Sequence, residues 1–258
     1  MPGDLTDALE PKTCKVCGSD APLEGVVDFH KSCEVNRGIH FPLAGVPVYY
    51  ARCSVCGFLF TDFFDGWSPE DFLRRIYNAD YVKVDPEYVE VRPRASAEFV
   101  CNLFSDAITG LRVLDYGGGQ GTLARVLRER GVAADSYDPF DGDGEEKPGP
   151  YDLITCFEVI EHVTDPQALV RAIGSRLAPE GAVLFSTLLA PPDRQAGAMD
   201  WWYIAPRNGH ASIHTAESLA HLWQSAGFLL GSFDTNMHVA VRGRPGFVRH
   251  LIGDSPAP

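Results

Sequence analysis

The sequence predicts an α/β domain built on a mostly parallel sheet, preceded by a small cysteine-bearing module. Three observations carry this. Helix-type and strand-type segments alternate from residue 111 onward, a Gly-rich turn separates the first of those strands from its helix, and Cys-x-x-Cys-Gly occurs twice near the start. With 258 residues, 45% of them hydrophobic, the chain can bury a substantial core. No apolar run approaches the roughly 18 to 20 residues of a membrane helix. The opening "MPGDLTDALEPK" lacks the basic and apolar regions of a secretory leader, so a cytoplasmic protein without a membrane partner is expected. A net charge of −13 disfavours nucleic acid as a partner, because phosphate-binding proteins carry a basic face. Arg92 with Arg94, and Arg242 with Arg244 and Arg249, are local basic groups that also suit solvated surface.

The elements follow in order. Residues 1–66 are rich in Gly, Pro and Cys without a helical period and need a staple to fold as a small module. Residues 67–110 are expected to be a helical linker or lid. "SPEDFLRRIYNADY" opens with Ser68 as N-cap and Pro69 behind it, and "RPRASAEFVCNLFSDAI" forms a second helix. In residues 111–258, "LRVLDY", "AADSYD", "YDLITCF" and "AVLFSTLL" are strands. "GTLARVLRERG", "DPQALVRAIGSRLAPEG" and "TAESLAHLWQSAGF" are helices, and "LLGSFDT" with "MHVAVRG" forms a closing hairpin.

Cys14 and Cys17 in "CKVCG", with Cys53 and Cys56 in "CSVCG", have the spacing of two metal-binding knuckles. Each tight turn aims two sulfurs at one cation, and four thiolates complete a closed tetrahedral zinc site, which is structural because no coordination position stays open. Cys101 and Cys156 lie in apolar contexts, where a packed thiol is the ordinary state.

"VLDYGGGQG" places Asp115, Gly117, Gly119 and Gly121 between a strand and a helix. Glycines let this backbone turn sharply and approach a ligand, with helix-terminal amides pointing at it. Asp138 ends the next strand, where a carboxylate can accept both ribose hydroxyls. A nicotinamide enzyme would carry G-x-G-x-x-G, whereas these glycines stand at alternate positions.

"VLDYGGGQGTLARVLRERG", "SYDPF", "YDLITCFEVIEHVTDP" and "LAPEGAVLFST" resemble, in order and spacing, the successive motifs of class I S-adenosylmethionine-dependent methyltransferases over about residues 92–242. The resemblance implies a Rossmann-like sheet. It also implies that Asp115 and the Gly turn hold the amino-acid end of the methyl donor, that Asp138 holds its ribose, and that Phe157 lies near it. Tyr77 and Tyr81 are candidates for a lid, with Tyr81 touching the cofactor, although core packing suits them equally. Only "PFDGDGEEKPGP" separates Asp138 from Tyr151, too little for the helix and strand the family fits there, so a shortened sheet is expected.

Groups that handle the acceptor should follow the strands that end at the donor. "FEVIEHV" offers Glu158, Glu161 and His162 on one face of an expected helical turn. "WWYIAPRNGHASIHT" offers Trp201, Trp202 and Tyr203 as flat apolar surface, and Arg207, Asn208, His210 and His214 as polar groups. The knuckles together with "GHASIHTAESLAHLWQSAGF" resemble the nucleotide-sugar C-methyltransferases, in which a His at the position of His210 serves in proton removal. The Tyr and Glu of that family's stretch are replaced here by Arg207 and Gly209, which favours O-methylation of a sugar or sugar nucleotide over C-methylation.

Glu158, Glu161 and His162 also resemble the E-x-x-E-H of ubiquinone-biosynthesis and small-RNA O-methyltransferases. That likeness implies a second divalent cation, with His210 or His214 as a further ligand. The expected function is methyl transfer from S-adenosylmethionine to a small hydroxylated acceptor, with His210 as general base. An RNA methyltransferase and a non-catalytic donor-binding module are the alternatives. Without such a role, the acidic pair matches the ordinary preference of carboxylates for a first helical turn.

Overall fold

The computed structural model describes residues 10–140, 148–191 and 198–252. In chain order the elements are β1 (Lys12–Thr13), β2 (Asp20–Ala21), β3 (Leu23–Asp28), β4 (Pro47–Arg52), β5 (Leu59–Phe60), α1 (Pro69–Arg75), α2 (Val91–Phe104), β6 (Arg112–Tyr116) and α3 (Thr122–Glu129). They continue with β7 (Ala133–Tyr137), β8 (Tyr151–Phe157), α4 (Pro166–Arg176), β9 (Leu177–Ser186), β10 (Ser212–Ile213), α5 (Ala216–Ser225), β11 (Leu229–Ser232), β12 (Met237–Val241) and α6 (Arg249–Ile252). These residues form two compact units. Among the described residues, the first draws on those up to Pro86, Ile160–Ala168 and those within Leu188–Leu222, and the second on those within Glu87–Val159, Leu169–Thr187 and those from Trp223 onward.

The second unit is a six-stranded sheet in the order β11-β12-β9-β8-β6-β7. β7, β6, β8 and β9 run parallel, β12 pairs antiparallel to β9, and β11 pairs antiparallel to β12 at the edge. The inner strands read as near-continuous apolar runs because both of their faces are covered. Val113 and Leu114 of β6, Leu153 and Ile154 of β8, and Val183 and Leu184 of β9 are all fully buried. α3 turns Leu123, Ala124, Val126 and Leu127 into this core while Arg128 and Glu129 stay outside, and α2 adds Ala97, Val100 and Phe104. β7 is an edge strand among the described residues, as the short link after Asp138 predicts. Residues 141–147 of that link lie outside the described residues.

The first unit is built on a four-stranded antiparallel sheet, β10-β5-β4-β3. Its edge strand β10 comes from far along the chain, with Ser212 opposite Phe60 and Ile213 opposite Leu59. Val27, Val48, Tyr50, Leu59, Tyr203, Ile204 and Ile213 make its core. α1 starts on a capping box in which Ser68 and Asp71 bond each other's backbone amides.

Two expectations are corrected here. The helices at 68–81 and 165–181 end sooner, at Arg75 and Arg176, and β9 already begins at Leu177. More consequentially, "FEVIEHV" starts no α-helix. β8 ends at Phe157, Glu158 adopts the left-handed region with φ 54°, and only a single 3-10 turn, Ile160–His162, follows. The backbone there is satisfied from elsewhere. Ala211 N–H donates to Glu161 O at 2.8 Å and Ser212 Oγ–H to Val163 O at 2.7 Å, so the segment pairs with the approach to β10 instead of propagating a helix.

Candidate functional site

In the second unit the turn after β6 needs its glycines. Gly117, Gly119 and Gly121 have φ of 75°, 53° and 71°, the region where a Cβ is penalised. A Cβ at Gly117 would sit 2.3 Å from Val159 Cγ2. Gly118, which the alternate-glycine pattern passes over, is constrained as well: a Cβ there would lie 2.3 Å from Asp115 Oδ2 and 2.5 Å from Ser136 Oγ. The turn is tied down by Gly117 N–H to Tyr137 O at 2.7 Å and by Gly119 N–H to Asp138 Oδ2 at 2.8 Å. Asp138 Oδ1 also accepts from Phe140 N–H at 2.8 Å.

Asp115 is 4% exposed, and its Oδ1 accepts from Thr155 Oγ–H at 2.9 Å. Burial pushes its carboxyl up to about 7, Thr155 partly opposes this, and the charge of Asp138 adds to it. A buried carboxylate so placed suits a cationic ligand, whose positive charge would restore the ionised form. The α-ammonium of S-adenosylmethionine is such a group. Phe157 ends β8 half-buried against the core. Glu158 is held within this unit as well: its N–H donates to Ser186 Oγ at 2.9 Å, Ser186 Oγ–H donates to Glu158 Oε1 at 2.7 Å, and Arg92 lies 3.9 Å from Oε2.

In the first unit the four knuckle sulfurs come together. Cys14 and Cys56 are 3.7 Å apart and Cys17 and Cys53 are 3.4 Å apart, with all four within 4.8 Å of one another. A tetrahedral ion with Zn–S bonds of about 2.3 Å needs sulfurs roughly 3.8 Å apart, so the set fits zinc. Each knuckle closes through a glycine amide, Gly18 N–H to Cys14 O and Gly57 N–H to Cys53 O, with φ of 77° and 68°. Hydrogen bonding between the crowded thiols holds Cys14 down at about 5 and pushes Cys56 up. Both knuckles are tied to later segments: Gln167 Nε2–H donates to Val16 O at 2.9 Å, and Thr215 Oγ–H to Cys56 O at 2.6 Å.

The same unit brings Glu161, His162 and His210 together, with one ligand-type atom of each within 4.8 Å of the others. The bond from Ala211 N–H to Glu161 O sets the two segments side by side. Glu161 is fully buried, His210 is 4% exposed, and the two imidazoles meet edge to face at 4.9 Å. Gly209, at φ 91°, permits this approach, since a Cβ would lie 3.3 Å from His162 Nδ1. His210 Nδ1 faces Tyr203 O at 2.7 Å. A carbonyl only accepts, so Nδ1 carries a hydrogen, and in the neutral imidazole the lone pair is on Nε2.

The expected groups therefore divide. Glu158 is held by Ser186 in the second unit and is not among the three clustered groups. His214 is buried against Phe58, ring centroids 4.7 Å apart, with Nδ1 3.2 Å from Ser218 Oγ, and is likewise outside the cluster. Tyr81 is packed inside the first unit, its ring 5.1 Å from Tyr77 and its hydroxyl donating to Asn208 O at 3.4 Å. Arg207 and Asn208, expected to line a pocket, fasten the loop instead. Arg207 donates to Ile76 O at 3.1 Å, and Asn208 donates to Val84 O at 3.1 Å while accepting from Cys33 N–H at 2.9 Å. Lys31, which nothing local in the sequence singles out, donates to Trp201 O and Ile204 O at 2.6 Å each, and burial pushes it down to about 8.

The family described as "Methyltransferase domain" matches residues 88–230, just over half of the chain. The chain belongs to that family, the class I S-adenosylmethionine-dependent methyltransferases. It is 30% identical over 109 residues to the ubiquinone biosynthesis O-methyltransferase of Idiomarina loihiensis, covering 33% of this chain and 45% of that protein. To the protein of the same description in Bordetella avium it is 32% identical over 137 residues, covering 42% and 57%. The chain thus spans about half the length of the curated relatives it matches. Among solved structures, an O-methyltransferase family protein from Burkholderia thailandensis is similar at 17% identity and a TM-score of 0.49, covering 69% of this chain and 64% of that one.

Proposed function

We propose that the chain methylates a hydroxyl of a small acceptor, a sugar or sugar nucleotide, with His210 as the general base. When bound, S-adenosylmethionine supplies an already activated methyl group. Asp115 and the turn at Gly117–Gly121 hold its amino-acid end, Asp138 its ribose, and Phe157 borders it. The protein's remaining task is to align the acceptor and remove a proton. The lone pair on His210 Nε2 carries this reading, because the imidazole's other nitrogen is committed to Tyr203 O. As the acceptor oxygen takes the methyl group, its proton passes to Nε2. Glu161 and His162 position the hydroxyl. The described curated relatives are O-methyltransferases, which supports an oxygen acceptor, and the net charge of −13 weighs against RNA.

A second reading has a specific observation behind it. Two imidazoles and one carboxylate within 4.8 Å form a ligand set for a divalent cation, which would lower the pKa of a bound hydroxyl. His210, its Nδ1–H fixed on a carbonyl, has the orientation usual for a metal-ligating imidazole. Incubation with labelled S-adenosylmethionine and a panel of nucleotide sugars, catechols and cell extract tests the proposal, with label expected on an acceptor oxygen. Label on RNA, or on no acceptor, contradicts it. Dependence of the transfer on added Mg2+ after chelation selects the cation reading.

A further inference from the structure

We infer that Tyr203 is the positioning residue of the Glu161–His162–His210 cluster, setting the hydrogen-bonding state of two of its three members; this rests on the function proposed above. Tyr203 is 3% exposed and touches both partners with different groups. Its hydroxyl donates to Glu161 Oε1 at 2.7 Å, and its main-chain carbonyl accepts from His210 Nδ1 at 2.7 Å. The ring lies edge to face against the His210 imidazole, centroids 4.4 Å apart.

The hydroxyl oxygen accepts from Leu188 N–H at 3.2 Å while its O–H is directed at Glu161 Oε1. The carboxylate is thereby held as an acceptor, and the imidazole as the tautomer with its lone pair on Nε2. The backbone around the cluster is fixed as well. Tyr50 O–H donates to His210 O at 2.7 Å, and Lys31 binds the carbonyls of Trp201 and Ile204 on either side of Tyr203. Nothing in "WWYIAPRNGH" distinguishes Tyr203 from its neighbours. Trp201 and Trp202 are half-buried, whereas Tyr203 is turned into the core with its polar end spent on the cluster. The role holds whether Glu161 and His210 handle a proton or a cation, because outer partners of ligating groups matter as the ligands do.

The test is Tyr203→Phe, which keeps the ring and the carbonyl and removes only the hydroxyl, read beside Glu161→Gln and the double variant. The probe is labelled S-adenosylmethionine with a mixture of nucleotide sugars, catechols and cell extract. Tyr203→Phe is expected to lower kcat by about 10- to 100-fold, with donor Kd and acceptor KM unchanged; the lost buried hydrogen bond lowers the melting midpoint, but the protein stays fully folded at the assay temperature. In the Glu161→Gln background the same change should cost less than about twofold, because the two residues act as one unit. Equal losses in both backgrounds, or a fall in stability that accounts for the loss, would show a merely structural Tyr203 and overturn the inference. So would unchanged kcat in Tyr203→Phe. A wild-type protein that labels nothing in the mixture overturns the proposed function itself, and this inference with it, which separates the two failures.

Discussion

The two units place their polar groups by opposite means. In the second, the turn after β6 and two carboxylates, Asp115 and Asp138, lie at consecutive strand ends, and glycines make the room. In the first, the cluster is made of side chains from segments some fifty residues apart, registered by the antiparallel sheet and by buried hydrogen bonds. The first kind of site is sensitive to an added atom, the second to a missing partner.

That contrast is sharpest at the four-cysteine site, whose sulfurs fit zinc. Structural zinc contributes folding free energy directly, on the order of 10–16 kcal/mol in small zinc peptides. Cys53→Ser, or chelation of the wild type, is expected to abolish amide-exchange protection in β3–β5 and β10 while β6, β8 and β9 stay protected. Equal loss in both sets of strands would break the distinction.

Next in size is Asp115. Its carboxyl is raised to about 7 in the fold from an ordinary value of 3.8. Between those values the folded chain binds more protons than the unfolded one, so stability falls as pH rises through that window. Asp115→Asn should therefore raise the melting midpoint of the ligand-free protein at pH 8, and the advantage should vanish below about pH 4. Its affinity for S-adenosylmethionine should fall about tenfold or more, because the compensating charge is gone; calorimetry reads both effects. A lower midpoint at pH 8 would refute the buried-carboxylate account. The smallest effect of the three is expected from Gly118→Ala. Its methyl group would press on Asp115 and Ser136 at a cost of about 1–3 kcal/mol, lowering the midpoint and donor affinity together. A silent Gly118→Ala would mean that the turn relaxes freely.

The second unit was legible because its signals are local. Alternate glycines after an apolar strand, a carboxylate at the next strand end and the 3.6-residue pattern of α3 each lie within a few residues of one another. The knuckles were legible for the same reason. What the sequence hid depends on distance. β10 pairs with β5 across about 150 residues, and no pattern in "ASIH" announces it. "FEVIEHV" carries the spacing of a helical face, but its carbonyls meet Ala211 and Ser212, and Glu158 turns left-handed onto Ser186. Arg207 and Asn208 look like pocket groups by type, and only their burial shows them fastening backbone carbonyls. Among the described residues no helix is long and apolar enough to cross a membrane.

The central claim is that His210 removes the acceptor proton. Labelled methyl transfer by His210→Ala, measured with donor affinity on the same preparation, tests it most directly. A general base contributes about 10²- to 10⁴-fold, so turnover should fall by that factor with donor Kd unchanged. Turnover equal to that of the wild type would contradict the account.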